Sequence, residues 1–144
     1  MTKLKMKVRF DYIGKNKTGK LLWGTKNGDQ MAEELRQNKA SLIRNVPIQG
    51  ILVEEIDMSQ EVYSVYDEIT GKTVSYAPVI ITFSASSLED VVKFTMKEEF
   101  RTIELLEPGE LVLGKGEIEK LLLKVFQELM IYKDYLKKKI DNWK

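Results

Sequence analysis

From Lys3 to Phe10 the chain alternates without a break, with Leu4, Met6, Val8 and Phe10 at the even positions and Lys3, Lys5, Lys7 and Arg9 at the odd ones. Period two puts each set on its own face of a strand, whereas a helix would scatter both sets around its circumference. The segment is therefore predicted to be a half-buried strand, and it commits the fold to a sheet with one apolar face. The strand runs through Asp11-Tyr12-Ile13 into the turn residues Gly14-Lys15-Asn16-Lys17-Thr18-Gly19-Lys20. Leu21-Leu22-Trp23 then resumes an apolar run, which predicts a hairpin.

The next elements follow from local signals. A helix is expected to start at Asn27 or Asp29, to use Met31, Ala32 and Leu35 as its apolar face, and to end around Asn38-Lys39. Asn45-Val46-Pro47 marks a boundary, because the residue before proline is pushed out of the helical region. Ile51-Leu52-Val53 with Ile56 reads as a buried strand. Val62, Tyr63, Val65 and Tyr66 lead into the turn Asp67 to Lys72, and Thr73-Val74-Ser75-Tyr76 with Pro78 to Phe83 complete a second hairpin. Pro78 splits that run and predicts a bulge or an edge. Ser86 and Glu89 form a capping-box pattern ahead of Leu88, Val91 and Val92, which predicts a short helix, although Val92, Phe94 and Met96 also alternate as in a strand. Phe100 to Leu106 reads as a strand stopped by Glu107-Pro108-Gly109.

The C-terminal part has helical period instead. Ile118, Leu122, Val125, Leu129, Tyr132 and Leu136 recur at spacings of four and three, and Leu121, Phe126 and Met130 widen the stripe. An amphipathic helix from about Gly116 to Ile140 would be roughly 37 Å long. The expected fold is α+β, one domain over residues 1–144: a mostly antiparallel sheet of hairpins covered by this long helix. Leu122, Val125, Leu129, Tyr132 and Leu136 have heptad-like spacing, so one edge of the stripe is also a candidate oligomer face.

Composition narrows the chemistry. The 144 residues include no cysteine and no histidine. Within this chain that excludes disulfides, thiolate or imidazole metal ligands, cysteine nucleophiles and histidine bases. No metal site, cofactor or catalytic residue is predicted. The net charge of +1 hides a segregation: residues 1–49 carry a net +7, residues 50–119 a net −10, and residues 120–144 a net +4. Either the ends fold against the acidic middle or protomers pair head to tail, or a basic surface serves phosphate or nucleic acid. No uncharged apolar run approaches a bilayer-spanning length, so no membrane partner is expected and a cytoplasmic location is the simplest expectation. Lysine and glutamate dominate the charges, a tilt that suits a thermophile.

Gly14 to Leu21 nearly reproduces the phosphate-loop pattern G-x-x-x-x-G-K-[ST]. Leu21 stands where the magnesium-binding hydroxyl belongs, and Trp23-Gly24 interrupts the helix that should follow. The second Thr-Gly-Lys, at 70–72, lacks the first glycine, so both read as hairpin turns. Adjacent carboxylates at Glu33-Glu34, Glu54-Glu55, Asp67-Glu68, Glu89-Asp90 and Glu98-Glu99 point to opposite faces of a strand and build no acid/base pair by adjacency. The basic residues Lys3, Lys5, Lys7, Arg9, Lys15, Lys17 and Lys20 form the candidate phosphate or nucleic-acid surface, with Tyr12 and Trp23 as candidate stacking rings. Lysine on the solvent side of an edge strand is equally a defence against aggregation.

Ser87 to Phe94 and Arg101 to Leu111, ending Leu105-Leu106-Glu107-Pro108-Gly109-Glu110-Leu111, with a helix through Glu119 to Tyr132, resemble the C-terminal extension of WYL-domain transcriptional regulators. The resemblance covers about a third of the chain and implies a ferredoxin-like α+β module with a ligand-sensing or protein-contact role. No helix-turn-helix pattern precedes it, Leu21-Leu22-Trp23 differs from the tripeptide that names the family, and no site residue transfers. The leading expectation is a non-enzymatic interaction or ligand-binding module that self-associates through its C-terminal helix. A nucleic-acid-binding accessory protein is the alternative, and a carboxylate/magnesium enzyme acting on phosphates is the second.

Overall fold

The computed structural model describes residues 3–14 and 27–142. The elements, in chain order, are β1 (Leu4–Gly14), α1 (Gly28–Asn45), β2 (Ile51–Asp57), β3 (Tyr63–Asp67), β4 (Lys72–Ala85), α2 (Leu88–Thr95), β5 (Phe100–Glu107) and α3 (Lys115–Asp141). The predicted hairpin partner of β1, Leu21-Leu22-Trp23, and its turn lie outside the described residues. The sheet is antiparallel throughout, in the order β2-β4-β1-β5, with β3 also paired to β4. Without β3, the order β1-α1-β2-β4-α2-β5 gives two interlocked β-α-β units, each split by a strand of the other. This is the ferredoxin-like arrangement.

The parity of β1 decides the two faces. Leu4, Met6, Val8, Phe10 and Tyr12 stand opposite Ala85, Phe83, Ile81, Val79 and Ala77 of β4, and all ten are buried. Val91 and Phe94 of α2 and Ile43 of α1 complete this core, so both helices cover the same face. Phe94 sets its ring edge-on to Phe83 and Phe10, with centroids 5.0 and 6.0 Å apart. At the far end of β1 the backbone of α1 comes close enough that a Cβ on Gly14 would overlap the Gly28 carbonyl.

Helix α1 starts where expected. Asn27 Oδ1 accepts from the Gln30 amide at 2.8 Å, and Gln30 Oε1 accepts from the Asn27 amide at 3.2 Å. It runs on past Asn38-Lys39 to Asn45, because Ala40 and Ile43 continue its buried face. Pro47 then decides the stop, with Val46 already extended. The ambiguity over residues 88–97 resolves as a helix, with its cap one residue later than the sequence pattern suggested. Ser87, rather than Ser86, accepts from the first-turn amide, that of Asp90.

The 72–85 segment is one continuous strand in the sheet interior, although Pro78 predicted a bulge or an edge. The interruption lies in its partners instead. On the side away from β1, β3 covers 72–76 and β2 covers 80–85, which leaves Pro78 unpaired on that side. The Arg36 guanidinium fills the gap, with Nη1 donating to the Pro78 carbonyl at 3.1 Å and to the Gln60 carbonyl at 2.6 Å. In a strand the amide and carbonyl of one residue point the same way, so the amide proton that Pro78 lacks is one no ladder partner needed. Arg36 is itself 4% exposed, and Glu33 neutralises it through a two-pronged contact at 2.6 and 2.8 Å.

One expectation needs correcting. The long helix α3 does not cover the sheet. That face is already closed by α1 and α2, and the core contains no residue of α3. Helix α3 lies against α2 instead, and none of its described residues is buried.

Arg36→Met is expected to cost about 2–4 kcal/mol, because it strands two carbonyls and a partly buried carboxylate; urea unfolding at pH 7 measures it. The contact with Arg36 holds the Glu33 carboxyl below its usual range. A lowered folded-state pKa gives stability that is full above the unfolded value and is lost as pH falls through the folded one. Stability should therefore drop below about pH 4, and Glu33→Gln should flatten that part of the urea-midpoint profile.

Candidate functional site

The basic stripe lands where parity put it, on the uncovered sheet face, but it is not a bare track of cations. In the β1–β5 register Lys5 stands opposite Glu107 and Lys7 opposite Glu104. On the other flank, across β4, Lys5 Nζ lies 3.9 Å from Glu54 Oε2. Hydrogen bonds from Ser59 and the nearby charge of Lys7 together hold the Asp57 carboxyl below its usual range. Arg9 donates to Asp11 from Nε at 2.8 Å and from Nη2 at 3.2 Å, which raises the Arg9 pKa. Lys3 is exposed at the edge of the described chain, and Lys15, Lys17, Lys20 and Trp23 lie outside it.

Tyr12 stands differently from its sequence reading as a stacking ring. It is 3% exposed on the core face, its ring centroid 6.2 Å from that of Phe10, and burial pushes its pKa well up. The even-position parity of β1 already carried that answer.

Sequence reasoning missed a polar cluster on the uncovered face. Asp11 is 2% exposed because three side chains converge on it. These are the Arg9 fork, the Tyr63 hydroxyl, and Arg101, whose Nε lies 3.7 Å away. Tyr63 stacks on Tyr76 at 5.4 Å, and the Arg101 guanidinium lies 5.4 Å over the Tyr76 ring. The cluster ties β1, β3, β4 and β5 together across the face. Burial, with the bond to Asp11, raises the Tyr63 pKa, so the phenol stays a donor near neutral pH.

A cleft of about 720 Å³ lies between the start of α2, the 111–113 loop and α3. Leu4, Leu88, Leu111, Leu113 and Leu123 form its apolar walls, and Glu89, Glu117, Lys120 and Lys124 its charged rim. Ser86 and Ser87 also line it, and the Ser87 hydroxyl is engaged with Asp90 as the cap of α2. Among the described residues no three of Asp and Glu gather as metal ligands. Comparison of the chain with known protein families, curated proteins and solved structures finds no match.

The remaining surface is α3. Of its expected face, Leu122 and Leu129 are 63% and 54% exposed, while Val125, Tyr132 and Leu136 are half-buried. Tyr132 turns toward the body and donates to Glu98 at 2.7 Å. The open seam is thus rotated from the heptad line and adds Ile118, Ile140 and Phe126, the last 58% exposed. Apolar residues on both sides of the heptad line hid this rotation in the sequence.

If the stripe serves the sheet, Lys5→Glu with Lys7→Glu should destabilise the fold by about 1 kcal/mol at low salt, since it faces carboxylates with carboxylates. Added salt should recover most of the loss, which thermal melts at two ionic strengths would show.

Proposed function

We propose that this chain is a non-enzymatic interaction module that self-associates through α3. One observation carries the reading: a 27-residue helix with no buried described residue leaves large apolar side chains in water, while the core closes without it. Contiguous exposed apolar surface on an otherwise well-packed domain marks an interaction site. The charged sheet face supports the reading from the other side. Lys3, Lys5, Lys7, Arg9 and Arg101 share that face with the six carboxylates of Asp11, Glu54, Glu55, Asp57, Glu104 and Glu107. The described part of that face is therefore poorly suited to a polyanion.

Self-association should appear as a weight-average mass that rises with protein concentration in sedimentation velocity. Leu122→Lys with Leu129→Lys should hold the chain at monomer mass, with its melting temperature at low concentration within a few degrees of the parent, since neither residue is buried. A parent chain that stays monomeric, yet binds labelled DNA or RNA at about 50 mM salt and loses it at about 200 mM, would move the reading to the nucleic-acid alternative.

A further inference from the structure

We infer that the partner seated on α3 is a second copy of the same helix running antiparallel, with the two-fold axis near Leu129; this rests on the self-association proposed above. The seam is close to symmetric about that residue. Ile118 and Ile140 stand eleven positions to either side of Leu129, and the exposed Leu122 and the half-buried Leu136 seven to either side. Reversing the helix therefore sets Ile118 on Ile140 and Leu122 on Leu136, with Leu129 against its own copy.

Charge decides between the two directions. The N-terminal end of the helix, Lys115 to Lys120, balances Glu117 and Glu119 against Lys115 and Lys120, whereas its C-terminal end sets Lys133, Lys137, Lys138 and Lys139 against Asp134 and Asp141, a net +2. Between these ends, Lys124 is tied to Glu128 at 3.3 Å within its own turn. A parallel pair sets three lysines beside their own copies. An antiparallel pair brings them instead to the charge-balanced end that holds Glu117 and Glu119, and sets each helix's positive N-terminal end beside the other's negative C-terminal end. A helix of 27 residues is about 40 Å long, and its side-chain cylinder is about 10 Å across. A contact of that footprint belongs with the smaller specific interfaces, so the dimer should be reversible rather than obligate.

The chain has no cysteine, so single substitutions report directly. Leu129→Cys is expected to cross-link through a short bismaleimide to a covalent dimer. Leu122→Cys should cross-link poorly alone, because its copies lie about 20 Å apart along the seam. A mixture of Leu122→Cys and Leu136→Cys chains should recover the product. Raising salt from about 50 to 500 mM should weaken the wild-type dimer several-fold, as screening removes the Glu–Lys attraction. Efficient cross-linking of Leu122→Cys alone, with a dimer that tightens in salt, would mean a parallel pair and overturn the inference while leaving self-association standing. A dimer that none of the three variants captures would place the interface elsewhere and overturn it too. A chain that stays monomeric at every concentration would remove both.

Discussion

The Arg36 guanidinium is the contact on which the layout of the sheet depends. Strand β4 is fourteen residues long and has β1 along one side, but two separate strands share its other side. Between them lies a stretch of backbone that would be buried with its carbonyls unbonded, at about 1–3 kcal/mol for each group left without a partner. One side chain from α1 reaches into that stretch, bonds Pro78 and Gln60, and brings its counter-ion Glu33 on the same helix, one turn earlier. The same contact fixes α1 against the sheet. A proline in an interior strand, a buried arginine and a divided partner row are therefore one feature.

The uncovered face follows a related logic with exposed charges. Segregation along the sequence, basic then acidic then basic, becomes alternation across space once β1 is threaded between β4 and β5 with β2 beyond. Lys5 and Lys7 have carboxylates on both flanks, and Arg9 and Arg101 converge on Asp11. Individually such exposed pairs contribute little, but the observed register sets opposite charges across the strands. From the acidic middle of the chain, Glu54, Glu104 and Glu107 are set beside Lys5 and Lys7 in this way.

How much of this was legible varies with the range of the cause. Strand β1, its two faces and the period of α3 were readable because periodicity is local, and the fate of Tyr12 was readable in principle from the same parity. The extent of α1 exceeds its sequence signal because Ala40 and Ile43 are weak apolar signals until the sheet they touch is known. The unbroken β4 was not readable, because what makes Pro78 tolerable is an arginine 42 residues away. The Asp11 cluster was hidden for the same reason: Tyr63 and Arg101 become its neighbours through strand order alone.

The placement of α3 is the longest-range consequence of all. An amphipathic helix at the end of an α+β chain ordinarily closes the sheet, and its stripe alone does not say which surface it meets. In the ferredoxin-like arrangement the two crossover helices already occupy the single covered face, so a third helix has α2 or solvent for a neighbour. Its half-buried edge meets α2 and Glu98. The opposite edge, Leu122 through Phe126 to Leu129, is as apolar as the first and has nothing of its own chain to cover it among the described residues. Were α3 only a peripheral support for α2, one apolar edge would suffice, and selection for solubility would favour polar residues on the other. Two apolar edges on a helix that the core does not need are what the proposed self-association would account for.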